Sequence, residues 1–156
     1  MRQRIIFLLL LSLCVLGPGK LVYAQHYIPP DVSEEYIPID WDGVDADKED
    51  VDLIALVCLG EAEGESEYGK RLVIDTILNR LYSDEWPDTI SEVCWQKSQF
   101  SCLHNGRCNR VSVNNYIRRL VIEEIKERTN CDVKFFSADG YNGSPLFKEG
   151  GHYFSE

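Results

Sequence analysis

Apolar residues between 67 and 82 recur at intervals of three and four. Val73, Ile74, Ile77, Leu78 and Leu81 form one stripe along a helical surface. Upstream, Leu53, Ile54, Leu56 and Val57 form a denser apolar run that predicts another helix, with Asp52 as a candidate cap. Thr89 can open a short helix to Trp95, because Pro87 in "SDEWPDT" ends the preceding one. A third strong helix runs from about 112 to 128, with Tyr116, Ile117, Leu120, Val121 and Ile125 on the side expected to be buried. Between these lies "QKSQFSCLHNGRCNR", polar and without a period, read as an irregular surface segment. The tail changes period. "DVKFFSAD" and "GGHYFSE" read as two short strands, joined by the turn-rich "GYNGSPLFKEG". Helices first and a small antiparallel sheet last predict an α+β domain.

The first 24 residues stand apart from this pattern. A cationic Met1-Arg2-Gln3-Arg4, a twelve-residue apolar block at 5–16, Gly17-Pro18-Gly19 and Ala24 before Gln25 follow the order of a secretory signal peptide. The alternative, an uncleaved anchor, is opposed by length, since a spanning helix needs about 20 apolar residues. Residues 25–50 hold nine acids and one lysine, with Pro29, Pro30 and Pro38, and read as an acidic linker or arm. Residues 51–156 are left as the folded domain. The 156-residue chain carries a formal charge of −10 even with the basic leader included. That balance argues against nucleic acid and anionic lipid as partners, both of which require cationic contacts. No stable membrane insertion is expected once the leader is gone.

Six cysteines include Cys14 in the leader, so five belong to the mature chain. In an oxidising compartment, Cys102–Cys108 would clamp a local loop and Cys94–Cys131 would form a longer staple, leaving Cys58 as a buried small hydrophobe. A zinc site from Cys102, His104 and Cys108 is the other reading, but their spacing matches no usual structural-zinc pattern.

Chemistry concentrates in "CLGEAEGES". Glu61 falls where an apolar helix runs out, beside Gly60, with Glu63 and Glu65 close by; Gly60 and Gly64 are expected to loosen the backbone there. A half-buried carboxyl resists ionisation, and a glutamic acid that keeps its proton is what glycoside cleavage needs as its general acid. The plainer reading is a solvated helix end. Two-carboxylate glycosidases need a second acid at a defined separation. Glu65 and Asp75 are available, and neither spacing is convincing.

Four motifs in order resemble the cell-wall hydrolase family that includes the spore-cortex-lytic enzymes. They are Gly60-Glu61-Ala62-Glu63-Gly64-Glu65, Leu78-Asn79-Arg80, Pro87-Asp88-Thr89-Ile90 and Gln99-Phe100-Ser101. The aromatic "KFFSAD" and the ending Gly150-Gly151-His152-Tyr153-Phe154 look like further parts of that pattern. The resemblance implies a lysozyme-like, transglycosylase-like helical domain, secreted to the cell wall or periplasm, that acts on peptidoglycan glycan strands without a cofactor or metal. It puts the catalytic acid, later base, at Glu61. It suggests substrate-binding roles for Glu65 and for Gln99, Phe100 and Ser101, with Phe100 stacking on a sugar and its neighbours bonding acetamido groups; the equal alternatives are a helix-start carboxylate for Glu65 and a packed loop phenylalanine for Phe100. Asn79 and Arg80 would tie the second helix to the glutamate loop, and His152 would be a structural or supporting residue. The Arg107, Arg110, Arg118 and Arg119 cluster could meet peptide-stem carboxylates or simply be solvated. Departures are Glu63 in place of a basic residue, the short cysteine-bearing loop 102–110, and Ser137-Ala138-Asp139 where Asn-Pro is usual.

Two other readings stay open. One is a hydrolytic muramidase or glucosaminidase in which Glu65 or Asp75 activates water. The other is a glycan-binding module without turnover. An amidase is disfavoured because the domain has only His104 and His152 for a zinc set.

Overall fold

A central helix, buried on nearly every side, organises the protein. In the computed structural model, which describes residues 39–156, α1 spans Lys48–Ala62 and packs against each of the other α-helices. Val51, Ile54, Ala55, Val57 and Cys58 are fully buried, and the burial is spread around the helix as expected for an element enclosed by others. Its cap is Asp47, whose side chain accepts the Asp50 N–H at 2.9 Å. Asp52, expected as the cap, lies a turn further in and pairs with Arg118. The signal-peptide reading and most of the acidic arm fall outside the described residues.

Helix α2 (Glu67–Leu81) begins at Ser66, whose hydroxyl accepts the Gly69 N–H at 3.0 Å, and buries the stripe seen in the sequence. Helix α3 (Ile90–Trp95) is capped by Thr89 as its sequence indicates. The segment read as irregular contains α4 (Ser101–Asn105), closed by Gly106 at φ +78°, and a 3-10 turn at Cys108–Arg110. Helix α5 (Asn115–Lys126) starts at an Asn114 cap. Its buried side differs from expectation: Arg118 and Ile122 are buried as well, and Ile125 only partly so. Tyr116 is exposed, its hydroxyl donating to Glu67, while Glu124 is buried.

The tail forms an antiparallel sheet of three strands in the order β1-β3-β2: β1 Phe135–Ser137, β2 Pro145–Glu149 and β3 His152–Ser155. Phe136 and Phe147 both flank Phe154, and the three rings bring the sheet onto the helical core. Strand β2 lies within the stretch read as turn-rich. Among the described residues no helix is long and apolar enough to cross a membrane.

Candidate active site

Glu61 sits in the last turn of α1, half-buried. Its Oε1 accepts the backbone N–H of Cys102 at 2.8 Å and the Ser101 hydroxyl at 3.3 Å. Both donors belong to the first turn of α4, where backbone N–H groups lack helical partners. The carboxyl therefore joins two helix ends that are forty residues apart in sequence. Both hydrogen bonds fall on one oxygen, which leaves Oε2 for a ligand. A carboxylic acid has one O–H. Because Oε1 is committed as an acceptor, a proton on Glu61 resides on Oε2.

Gly60 makes this junction possible. A Cβ at position 60 would lie 2.6 Å from Cys102 Cβ and 2.7 Å from the sulfur atoms of both Cys102 and Cys108. Even an alanine would push α4 away from α1. Gly60 is thus a helical residue required for close approach rather than a point of loosening. Cys102 is fully buried and Cys108 nearly so, and their thiols sit over the Val57 and Leu56 carbonyls.

Glu65 is turned elsewhere. Its Oε2 accepts the Gly151 N–H at 3.1 Å, in the turn between β2 and β3. Its backbone carbonyl accepts from the Lys70 ammonium. Neighbouring Ser66 donates to Glu149 at 2.9 Å. The acidic turn between α1 and α2 therefore holds the hairpin. Gly150 adopts φ +53°, and any Cβ there would fall on the Glu65 carboxylate.

Of the loop triad, only Ser101 touches Glu61. Phe100 is 1% exposed, which corrects the sugar-stacking expectation. Its ring packs at 6.1 Å from Phe136 and lies under the Arg80 guanidinium at 5.2 Å, so no face is offered to a glycan. Gln99 is half-buried, with its backbone N–H bonded to the Gln96 carbonyl. Asn79 and Arg80 do not reach the glutamate loop. Asn79 donates to the Asn130 and Val133 carbonyls, and Arg80 Nε donates to the Lys134 carbonyl, so both anchor the approach to β1. Arg80 is stacked on Trp86 at 4.2 Å, and burial pulls its guanidinium down to about 10. His152 is buried against Phe136. The arginine cluster divides: Arg118 is a buried partner of Asp52, Arg119 pairs with Glu123, and Arg107 and Arg110 are exposed.

Asp75 is fully buried and cannot serve as a water-activating partner of Glu61. Its Oδ2 accepts the Asn130 N–H at 2.8 Å, its Oδ1 meets no donor, and burial with the neighbouring Glu124 carboxyl raises its pKa. The five described cysteines are all free. The expected Cys94–Cys131 staple is absent because Cys94 is buried in α3 while Cys131 is exposed on the loop before β1. Burial pushes the Cys58 and Cys94 thiols up to about 12, which makes them unreactive. His104 does not join Cys102 and Cys108: it is exposed against Trp95, at 5.7 Å between rings.

The Cys102 N–H is the contact that sequence reasoning missed. Its one signal was a glycine at a helical position immediately before the acid, which marks close backbone approach as readily as flexibility. Two concavities, of about 440 and 520 Å³, lie elsewhere, beside Trp41 and Arg118 and beside Arg71 and Thr129. Neither is lined by Glu61.

A sequence model of the family described as Cell Wall Hydrolase matches residues 64–148, more than half of the chain, and begins three positions after Glu61. A spore cortex-lytic enzyme of Oceanobacillus iheyensis is 36% identical over 76 residues, which are 49% of this chain and 27% of that protein. A spore cortex-lytic enzyme of Bacillus cereus is 26% identical over 118 residues, 74% of this chain and 43% of the relative. The chain thus spans less than half the length of these curated relatives. Among solved structures, the catalytic domain of the Bacillus cereus SleB protein superposes with a TM-score of 0.62 at 24% identity, covering 70% of this chain and 91% of that domain. The catalytic domain of the germination-specific lytic transglycosylase SleB from Bacillus anthracis gives the same TM-score at 23% identity, over 77% and 100%. These likenesses establish the fold.

Proposed function

Because the chain belongs to the cell wall hydrolase family, we propose that it is a secreted lytic transglycosylase that cleaves peptidoglycan strands between MurNAc and GlcNAc, with Glu61 as acid and then base. The observation that carries this reading is the one-sided bonding of Glu61. With Oε1 accepting from Cys102 and Ser101, Oε2 is the oxygen left to carry the proton passed to a glycosidic oxygen. Its transfer turns the aglycone into a leaving group. The carboxylate then takes the proton of the muramic 6-hydroxyl as that oxygen attacks the anomeric carbon, giving a 1,6-anhydro sugar and restoring the acid. No water enters, and no second carboxylate is required. The surroundings favour this over hydrolysis, since Glu65 is committed to Gly151 and Asp75 is buried. Positioned proton transfer of this kind contributes about 10²–10⁴-fold in rate.

The leader at 1–24 directs the chain out of the cytosol to the wall or periplasm, the acidic segment before the Asp47 cap acts as an arm, and the domain from α1 onward holds the activity. The test is digestion of purified peptidoglycan followed by product mass. An anhydro end is one water lighter than a reducing end. Glu61→Gln, whose amide oxygen can still accept the Cys102 N–H, should keep the fold and release no fragments. Reducing-end products would favour the hydrolytic reading, and full activity in Glu61→Gln would overturn the assignment to this residue.

A further inference from the structure

Cys102 and Cys108 meet at one point. Both sulfur atoms lie 2.7 Å from the position a Cβ on Gly60 would occupy, so they sit side by side beneath α1. Seven positions of chain, turned by Gly106 in the left-handed region, bring them together. Cys102 is also the residue whose N–H holds Glu61. We propose that these two thiols close into a disulfide that fixes the Glu61 donor, so that the oxidised protein is the catalytically competent form and reduction lowers its turnover. This rests on the reading of Glu61 as the acid.

The physical case starts from helix length. Helix α4 has five residues, and isolated helices shorter than about 12–15 residues do not persist in water. The first turn of α4 must therefore be held by something else if its N–H is to stay at 2.8 Å from Glu61. Packing of Cys102 on Gly60 supplies one contact. A covalent link to Cys108 in the 3-10 turn would supply the second, closing α4 at both ends. The environment accommodates it: the two sulfurs are neighbours in a largely buried site, their contacts to the Val57 and Leu56 carbonyls are long, at 3.9 and 3.7 Å, and the Cys102 thiol also lies beside the Glu61 carboxyl. Neighbouring Cys108 and burial both raise the Cys102 thiol. Cys108, with 7% exposure against 0%, is the sulfur nearer to solvent.

The oxidant is a disulfide of the kind carried by a thiol-disulfide oxidoreductase or by oxidised glutathione. The Cys108 thiolate attacks one sulfur of that disulfide, its S–S bond breaks, and one thiolate leaves. Cys102 then loses its proton and attacks Cys108 Sγ in the mixed disulfide, expelling the second thiolate. The two protons from Cys102 and Cys108 end on the two departing thiols. Two cysteines are oxidised, one external disulfide is reduced, and no other reactant is needed.

The experiment uses the full mature chain, oxidised with glutathione disulfide or reduced with dithiothreitol. Peptide mapping after alkylation should show residues 102 and 108 linked and the intact mass lower by two hydrogens in the oxidised form. This readout is independent of whether the chain cleaves glycan, so its failure is distinct from failure of the functional reading. On peptidoglycan, reduction should lower kcat roughly 10- to 100-fold with KM nearly unchanged, because the lost feature is the placement of the acid. Re-oxidation should restore it. Cys108→Ser, which leaves the Cys102 backbone in place, should behave like the reduced protein under both conditions. Free thiols at 102 and 108 after oxidation would overturn the proposal, as would a linked protein whose kcat is the same before and after reduction. Should Cys108→Ser fail to fold, reversible reduction of the wild-type chain provides the same comparison.

Discussion

The Glu65 carboxylate accepts the N–H of Gly151 at 3.1 Å, joining the turn between α1 and α2 to the turn between β2 and β3 across 86 positions of sequence. Ser66 and Glu149 make a second bond beside it. The hairpin reaches the helical half here at its tip, while Phe136 and Phe154 join it at the core. An acidic residue that looks catalytic from its motif is thereby occupied in holding a hairpin.

Replacing Glu65 tests that assignment. Glu65→Gln keeps a carbonyl oxygen for Gly151, so activity on peptidoglycan should stay within about threefold of wild type. Glu65→Ala removes the bond and should cost roughly 1 kcal/mol in urea unfolding. A loss in Glu65→Gln as deep as that in Glu61→Gln would instead make Glu65 the second carboxylate of a hydrolase.

Gly60 offers a test by volume alone. In Gly60→Ala the new methyl meets Cys102 Cβ at 2.6 Å and both sulfurs at 2.7 Å. Overpacking of this kind costs about 1–3 kcal/mol and moves backbone. The variant should unfold at lower denaturant and should lose turnover beyond its loss of stability, because the displaced element carries the donor to Glu61. A folded Gly60→Ala variant with undiminished kcat would show that α4 need not be where it is.

The sequence was informative where periods were long and caps local. The stripe of α2 and the Thr89 cap of α3 are both within a single window of sequence. Strand β2 was hidden because it is an edge strand with Pro145, Leu146 and Lys148 exposed, so it lacks a clear alternation, and Ser144-Pro145 reads as a turn. Helix α4 is shorter than any periodic window. The early start of α1 was obscured because Lys48, Glu49 and Asp50 look like the acidic arm, although Asp47 caps them. At the site, Glu61 was readable from its motif, but its partner on α4 was not, since a bond between residues 61 and 102 exists only after the core forms. Phe100 shows the converse: a motif aromatic was read as a binding residue when its actual partners, Arg80 and Phe136, come from distant elements.

Arg80 should prove a structural cation that lysine cannot replace. Its guanidinium lies over Trp86, Phe100 and Phe135 and donates from Nε to the Lys134 carbonyl. An ammonium has neither the planar face nor the fixed fork, and is more strongly hydrated. Arg80→Lys is expected to destabilise the fold by about 1–3 kcal/mol, read as a lower urea midpoint, with near-ultraviolet circular dichroism reporting the loosened Trp86. An unchanged midpoint would mean that the stack carries no net stability.

Asp75 and Glu124 should make stability fall with rising pH. Asp75 is raised to about 8, first by burial and then by Glu124, which is itself salt-bridged to Arg71 and accepts from Thr129. Asp75 Oδ1 meets no donor and the Glu124 carboxyl is close by, so the buried site favours the protonated form of Asp75. Unfolded, the group titrates near 3.8. Between about pH 4 and 8 the unfolded chain has therefore released a proton that the native state keeps. The contribution to stability is complete below about pH 4 and drains away as pH approaches 8, by at most about 1.4 kcal/mol for each pH unit of that window. Asparagine reproduces the protonated form: its oxygen can accept from Asn130 and its amide can donate to Glu124. Asp75→Asn should remove this component of the pH dependence and be the more stable protein at pH 8, measured by urea unfolding at several pH values. Because the pair fixes the 129–130 segment from which Asn79 and Arg80 guide the chain into β1, the same variant should keep its activity at mildly alkaline pH for longer. If wild type and Asp75→Asn gave superimposable stability profiles from pH 4 to 8, the shared proton between these two carboxyls would have to be given up.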